Sequence, residues 1–178
     1  MKKFITVCCL VLSLVSFGSV GNESDTLVKQ CSFLENGGLS EQQKSVLRYS
    51  YERGKEYDLG LTLASIAWVE STAGIDRVNW SDPAFGAYQI VVHDKSSAVK
   101  RLNVTDKVAQ VHLANQLVVD DILGATLALM ELEYWKARHK GDWRKMVMSY
   151  NAGTSYKNGK NYLNKIKLAL NKLRDCYD

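Results

Sequence analysis

The chain has 178 residues, 46% apolar and 24% charged, with one proline and a formal net charge of +4. That is enough for one domain with a substantial core, and the near-average composition excludes a disordered tail, a collagen-like repeat and a mini-protein held by disulfides alone. One proline in this length argues against a turn-rich β-sandwich, and the small charge excess gives no electrostatic case for nucleic acid binding.

The first residues read as an export leader. Met1-Lys2-Lys3 is followed by an apolar run from Phe4 to Val15 and then by Ser16-Phe17-Gly18-Ser19-Val20-Gly21. A basic start, about a dozen apolar residues and small residues at the end form a secretory signal peptide over residues 1–21. Small residues suit cleavage after Gly21 or Gly18. An uncleaved N-terminal anchor is the competing reading, although a span needs about 20 apolar residues. Export places the mature protein in the periplasm or cell wall. Cys8 and Cys9 read as small hydrophobes inside the leader. The mature chain keeps Cys31 and Cys176, and an even pair in an exported protein predicts a disulfide joining its two ends. Closing so long a loop contributes about 4–5 kcal/mol in the chain-entropy picture. Two free buried thiols are the alternative.

No repeat, linker or low-complexity stretch interrupts the remainder, so residues 25–178 form one domain. Ser40-Glu41-Gln42-Gln43 is a capping box that opens a helix running through Val46, Leu47, Tyr49 and Tyr51 to about Tyr57. A second helix spans about 61–73 and stops at Gly74. A polar, aromatic, glycine-bearing loop then runs from Ile75 to Val92 with the chain's proline, Pro83. Further helices are predicted at about 106–116, 119–139, 142–151 and 160–175, with Gly141 and Gly153 as stops. Only Ala87 to Val92 shows period-2 alternation, so the fold class is all-α with a minimal β-like loop near residues 80–92.

One residue stands in the wrong place. In the second helix the apolar stripe runs Leu59, Leu63, Ile66, Ala67 and Gly74, with Ser65 and Thr72 on the opposite side. Glu70 falls in the middle of that stripe. A carboxylate on a buried face costs several kcal/mol unless it is paired, hydrogen-bonded or neutralised. Two explanations follow: a core ion pair, or an acid whose raised pKa lets it donate a proton near neutrality.

Four segments in order then carry a resemblance. Glu70-Ser71 ends a helix, Gly86-Ala87-Tyr88-Gln89-Ile90 follows, Asp121 to Leu129 opens another helix, and Ser149-Tyr150-Asn151-Ala152-Gly153 closes a later one before Tyr162-Leu163. Over residues 45–170 this pattern resembles the lytic transglycosylase domain family, lysozyme-like enzymes that cleave peptidoglycan and are relatives of goose-type lysozyme. The family's Leu-Met pair before the Gln is replaced here by Ala87-Tyr88, and a Gly and a Tyr of its third element by Ala125 and Ala128.

The resemblance implies a lysozyme-like fold and a single catalytic acid, Glu70. That acid protonates the bond between N-acetylmuramic acid and N-acetylglucosamine, then takes the proton from the sugar's 6-hydroxyl to leave a 1,6-anhydro product. Gln89, Tyr88, Tyr150, Asn151 and Tyr162 are expected to line the sugar subsites, and Asn79 or Ser81 to orient Glu70 or the substrate's acetamido group. Trp68, Trp80, Trp135 and Trp143 read as core or cleft wall. Glycan strands are the implied partner, with secretion, conjugation or phage machinery as possible settings. Nothing in the sequence calls for a metal or organic cofactor: His93, His112 and His139 lack metal-ligand spacing, and His93-Asp94 is an isolated loop dipeptide. The lysines from Lys157 to Lys172 read as a solvated face. Two alternatives stay open: a hydrolytic lysozyme of the same fold, with Asp82 as a second carboxylate, and a non-catalytic wall-binding component.

Overall fold

The computed structural model describes residues 32–177. The leader and Cys31 therefore lie outside the described residues, and with them the expected processing site and the Cys31–Cys176 bridge. Cys176 itself is buried on the last helix. A short helix, α1 (Ser32–Asn36), comes first. α2 (Glu41–Lys55) opens at the capping box, where Ser40 Oγ accepts from the Gln43 N–H and Gln43 Oε1 accepts from the Ser40 N–H. α3 (Gly60–Ser71) follows after a tight turn and packs between α2 and α8 (Lys160–Tyr177).

α3 is the centre of the molecule. Leu63, Ile66 and Ala67 are fully buried, as the stripe predicts, and each large aliphatic side chain there contributes about 1.5–3 kcal/mol of burial. Ser65, expected on the opposite side of the helix, is also at 0% exposure. The helix is enclosed nearly all round, because α2 and α8 cover faces that periodicity alone left open.

The predicted loop folds into a small antiparallel sheet of order β1-β2-β3, formed by β1 (Val78–Asn79), β2 (Ala84–Phe85) and β3 (Ile90–Val91). Val78 pairs with Phe85, and Phe85 with Ile90. The β-like element thus begins at Val78, earlier than the expected residue 80. α4 (Ser97–Leu102) follows with Ser96 as its cap, a helix that the periodicity missed. Six residues are too few for a hydrophobic period to register.

α5 (Lys107–Val119) is capped by Asp106. Asp120 then ends α5 and caps α6 (Asp121–Arg138), accepting from the N–H groups of Ile122 and Leu123. α7 (Trp143–Ala152) is capped by Asp142 and runs through a 3-10 turn, Gly153–Gly159, into α8. The architecture is mostly helical with three short strands, the all-α class with a minor β element that the sequence predicted. Among the described residues no single helix is long and apolar enough to cross a membrane.

Candidate active site

Glu70 is the penultimate residue of α3, and the chain beyond it turns in an unusual way. Thr72, Ala73 and Gly74 have φ of 54°, 54° and 85°, three consecutive left-handed residues of which only the last is glycine. Left-handed backbone costs roughly 1–2 kcal/mol for each ordinary residue, so surrounding bonds must hold it. Ser71 Oγ accepts from the Gly74 N–H at 2.8 Å and donates to Ala87 O at 2.7 Å. Gln43, reaching from the α2 cap, donates through Nε2 to Thr72 O at 3.0 Å. Sequence reasoning used Gln43 only as a cap and Ser71 only as a motif letter. Their tertiary role is to pin the turn that follows the acid.

Glu70 as a whole residue is half-buried. Tyr162 on α8 donates its hydroxyl proton to Glu70 Oε1 at 2.6 Å. Burial raises the acid from its ordinary 4.5 to about 7, while the Tyr162 hydrogen bond and the more distant Lys165 charge pull downward. Among the described residues Glu70 takes part in no ion pair. Of the two explanations left open by its position, the structure contains the raised acid and not the core salt bridge.

The tyrosine ring of Tyr162 stacks on Tyr150, with centroids 6.5 Å apart and planes 12° from parallel. Burial holds both hydroxyls well above the usual phenol range, with the Glu70 charge acting in the same direction, so both stay protonated donors. Tyr150 donates to Tyr88 O at 3.0 Å, which ties α7 to the Gly86–Ile90 segment. Tyr162, Tyr150 and Glu70 therefore form one layer contributed by three helices.

Gln89 lies in the β2–β3 connection and shares a cavity wall with Tyr150 of this layer. Its φ of 49° is left-handed, and its Nε2 donates to Asp76 O and Gly86 O at 3.2 and 3.0 Å. Gln89, Ile90, Leu127 and Tyr150 line a cavity of about 280 Å3. Glu70 is not in its wall and connects to it through the stacked tyrosines.

Three expected site residues are placed differently. Tyr88 is at 0% exposure, and its hydroxyl lies 2.8 Å from Ser50 Oγ in the core. It supports the site from beneath instead of lining it, because Gly86 and Gln89 with positive φ turn the intervening side chain inward. Asn79 and Ser81 bond each other: Asn79 Oδ1 accepts from Ser81 Oγ at 2.7 Å and from Ser81 N at 3.2 Å. Neither is hydrogen-bonded to Glu70, and both are exposed, Asn79 at the end of β1 and Ser81 on the β1–β2 connection. Asn151 is exposed at the end of α7. Trp80, read as core or wall, is 81% exposed at the tip of that connection, with Phe85 against it edge-on.

The sheet is held to the helices by Arg77. Its guanidinium donates to both Asp121 oxygens, at 2.7 and 3.1 Å, and also to Gly74 O and Val118 O. A two-pronged arginine–carboxylate pair fixes orientation as well as contributing energy. It locks the turn after Glu70 to the α5–α6 corner.

Fold and site together define a mostly helical protein with a minor sheet and a raised-pKa carboxylic acid at the end of its central helix. No family model matches the chain, and no solved structure matches it. It is 29% identical over 155 residues to the uncharacterized 20.7 kDa protein in the vs-regB intergenic region of Enterobacteria phage T4; the match covers 77% of this chain and 83% of that protein.

Proposed function

We propose that this protein is a lytic transglycosylase of lysozyme-like fold that cleaves peptidoglycan glycan strands, with Glu70 as its acid and base. The observation that carries the reading is a carboxyl raised to about 7 with no ion-pair partner, reached by a tyrosine hydroxyl at 2.6 Å. A group that half-titrates near neutrality serves as both donor and acceptor of one proton. In the first step Glu70 gives its proton to the glycosidic oxygen, and the bond from that oxygen to C1 of the muramyl sugar breaks. In the second the resulting carboxylate takes the proton of the sugar's 6-hydroxyl, and O6 bonds to C1. The acid ends as it began, and no water is consumed.

Tyr162 keeps the carboxyl in one rotamer for both steps, Tyr150 backs it and offers the glycan its ring, and Gln89, its amide N–H groups already engaged, offers its amide oxygen. Export through the N-terminal leader delivers the enzyme to the wall, and a Cys31–Cys176 bridge closes the chain there. Among the settings such enzymes serve, similarity to a phage protein supports the phage one. The hydrolytic reading rests on Asp82, which sits on the exposed β1–β2 connection.

Digestion of purified sacculi, with mass analysis of the soluble products, tests the proposal. Anhydro-muropeptides, one water lighter than hydrolytic products, are expected from the wild type. Glu70→Gln should fold and release none. Reducing-end products without the mass loss establish a lysozyme instead, and wild-type activity in Glu70→Gln removes Glu70 from the mechanism.

A further inference from the structure

The cavity beside Tyr150 continues past Gln89 to a rim that the reaction above does not use. This rim is formed by His93, Lys95, Ser97, Arg101 and Glu131. Two of its charges are committed to one another. Glu131 accepts from Arg101 at 3.0 Å and from the Trp135 indole at 2.6 Å, while Arg101 also donates to Met130 O and lies over the Tyr134 ring. The neighbouring acid, Asp94, is engaged by Lys107 and Gln110 and lies outside the cavity wall.

What remains at the rim is a set of donors. Lys95 takes part in no ion pair among the described residues. Its backbone N–H donates to His93 Nδ1 at 3.1 Å, which places the ring proton on Nε2. His93 Nε2, Ser97 Oγ and Lys95 Nζ have no hydrogen-bond partner among the described residues, and all three residues are exposed. An ammonium, a ring N–H and a hydroxyl around one opening, with the single carboxylate already neutralised, select an acceptor carrying negative charge.

We propose that this rim binds a carboxylate of the peptide stem borne by the muramyl sugar, so that the enzyme distinguishes peptide-bearing from bare glycan strands. The proposal rests on the function argued above, because it takes the sugar next to Tyr150 as the origin of that stem. A carboxylate entering here pairs with Lys95 and accepts from Ser97 and His93, and the stem fills the remainder of the cavity.

The test compares kcat/KM on two substrates: sacculus-derived strands with intact stems, and the same strands stripped of peptide by an amidase. The measured quantity is the preference, the ratio of the two. Lys95→Glu is expected to lower it about tenfold, in line with the loss of a charge-assisted bond, and Lys95→Arg to retain it. A ratio unchanged by Lys95→Glu, whether both rates hold or both fall together, overturns the inference while leaving the Glu70 mechanism standing. If the wild type cleaves neither substrate, or Glu70→Gln cleaves as well as wild type, the catalytic reading fails first and this one with it.

Discussion

The hydroxyl of Tyr162 and the carboxyl of Glu70, 92 residues apart in the chain, meet at 2.6 Å. The bond favours the charged form of Glu70, whereas burial favours the neutral one, and burial is the larger effect. The acid's working range is set by the balance of these two forces and the smaller pull of the Lys165 charge. Tyr162→Phe removes the larger of the two downward pulls and leaves the burial and the Lys165 charge in place, so the carboxyl should titrate above its present value of about 7. The alkaline limb of the kcat/KM profile is then expected to move up by about half to one pH unit, the scale of one hydrogen bond. A limb that stays in place, or moves down, shows that Tyr162 does not control the acid. Direct titration of the Glu70 carboxyl by NMR measures the same shift without relying on turnover.

Stability should carry the signature of the same group. Native Glu70 titrates near 7 and an unfolded glutamate near 4.5, so the native state binds its proton more tightly. Below about pH 4.5 both states are protonated and the group contributes no pH dependence. As pH rises through the window from 4.5 to 7 the unfolded chain loses its proton first, and native stability falls. Above 7 both states are charged and the cost levels off at about 3 kcal/mol as an upper estimate. Glu70→Gln carries no such charge. It should lose less stability than wild type between pH 5 and pH 8, and it should be the more stable of the two at pH 8, as read from urea midpoints at each pH. Parallel curves for the two proteins would mean that Glu70 sits in an ordinary watery environment.

Much of this site was legible in the chain because its signals are local. The Ser40–Gln43 box appears in the structure as read, and Glu70 lies on a helix whose Leu63, Ile66 and Ala67 are fully buried. What escaped was the effect of partners distant in sequence. Ser65 is buried because α2 and α8 both close over α3, which no helical wheel of α3 alone contains. The orientation of Tyr88 depends on two positive-φ residues around it, and residue type reveals that preference for Gly86 but not for Gln89. The left-handed run Thr72–Ala73–Gly74 has a glycine signal only at its end, since Gln43 and Ser71 hold the rest from outside. α4 did have a readable start in Ser96, whose hydroxyl accepts from the Val99 N–H, although its length hid it from a periodicity argument.

Two glycines with nearly equal positive φ should separate conformational strain from crowding. Gly86 has φ +81° and Gly141 φ +82°, so alanine pays a similar left-handed penalty at either site, roughly 1–2 kcal/mol. Their surroundings differ completely. A Cβ at Gly141 meets nothing within 4 Å, whereas at Gly86 it lies 2.3 Å from the Leu117 carbonyl oxygen, a backbone atom that cannot swing away. Relief at Gly86 requires the Gly86–Ile90 segment to move off α5, which stretches the Ser71–Ala87 and Tyr150–Tyr88 bonds that frame the acid. Gly141→Ala is therefore expected to cost about 1–2 kcal/mol with turnover retained. Gly86→Ala should cost about 3 kcal/mol or more, and the folded fraction should turn over slowly at every pH. Denaturant midpoints measure the first difference and sacculus digestion the second. Equal losses at the two positions would mean that the close approach of the Gly86 segment to Leu117 contributes nothing to holding the site.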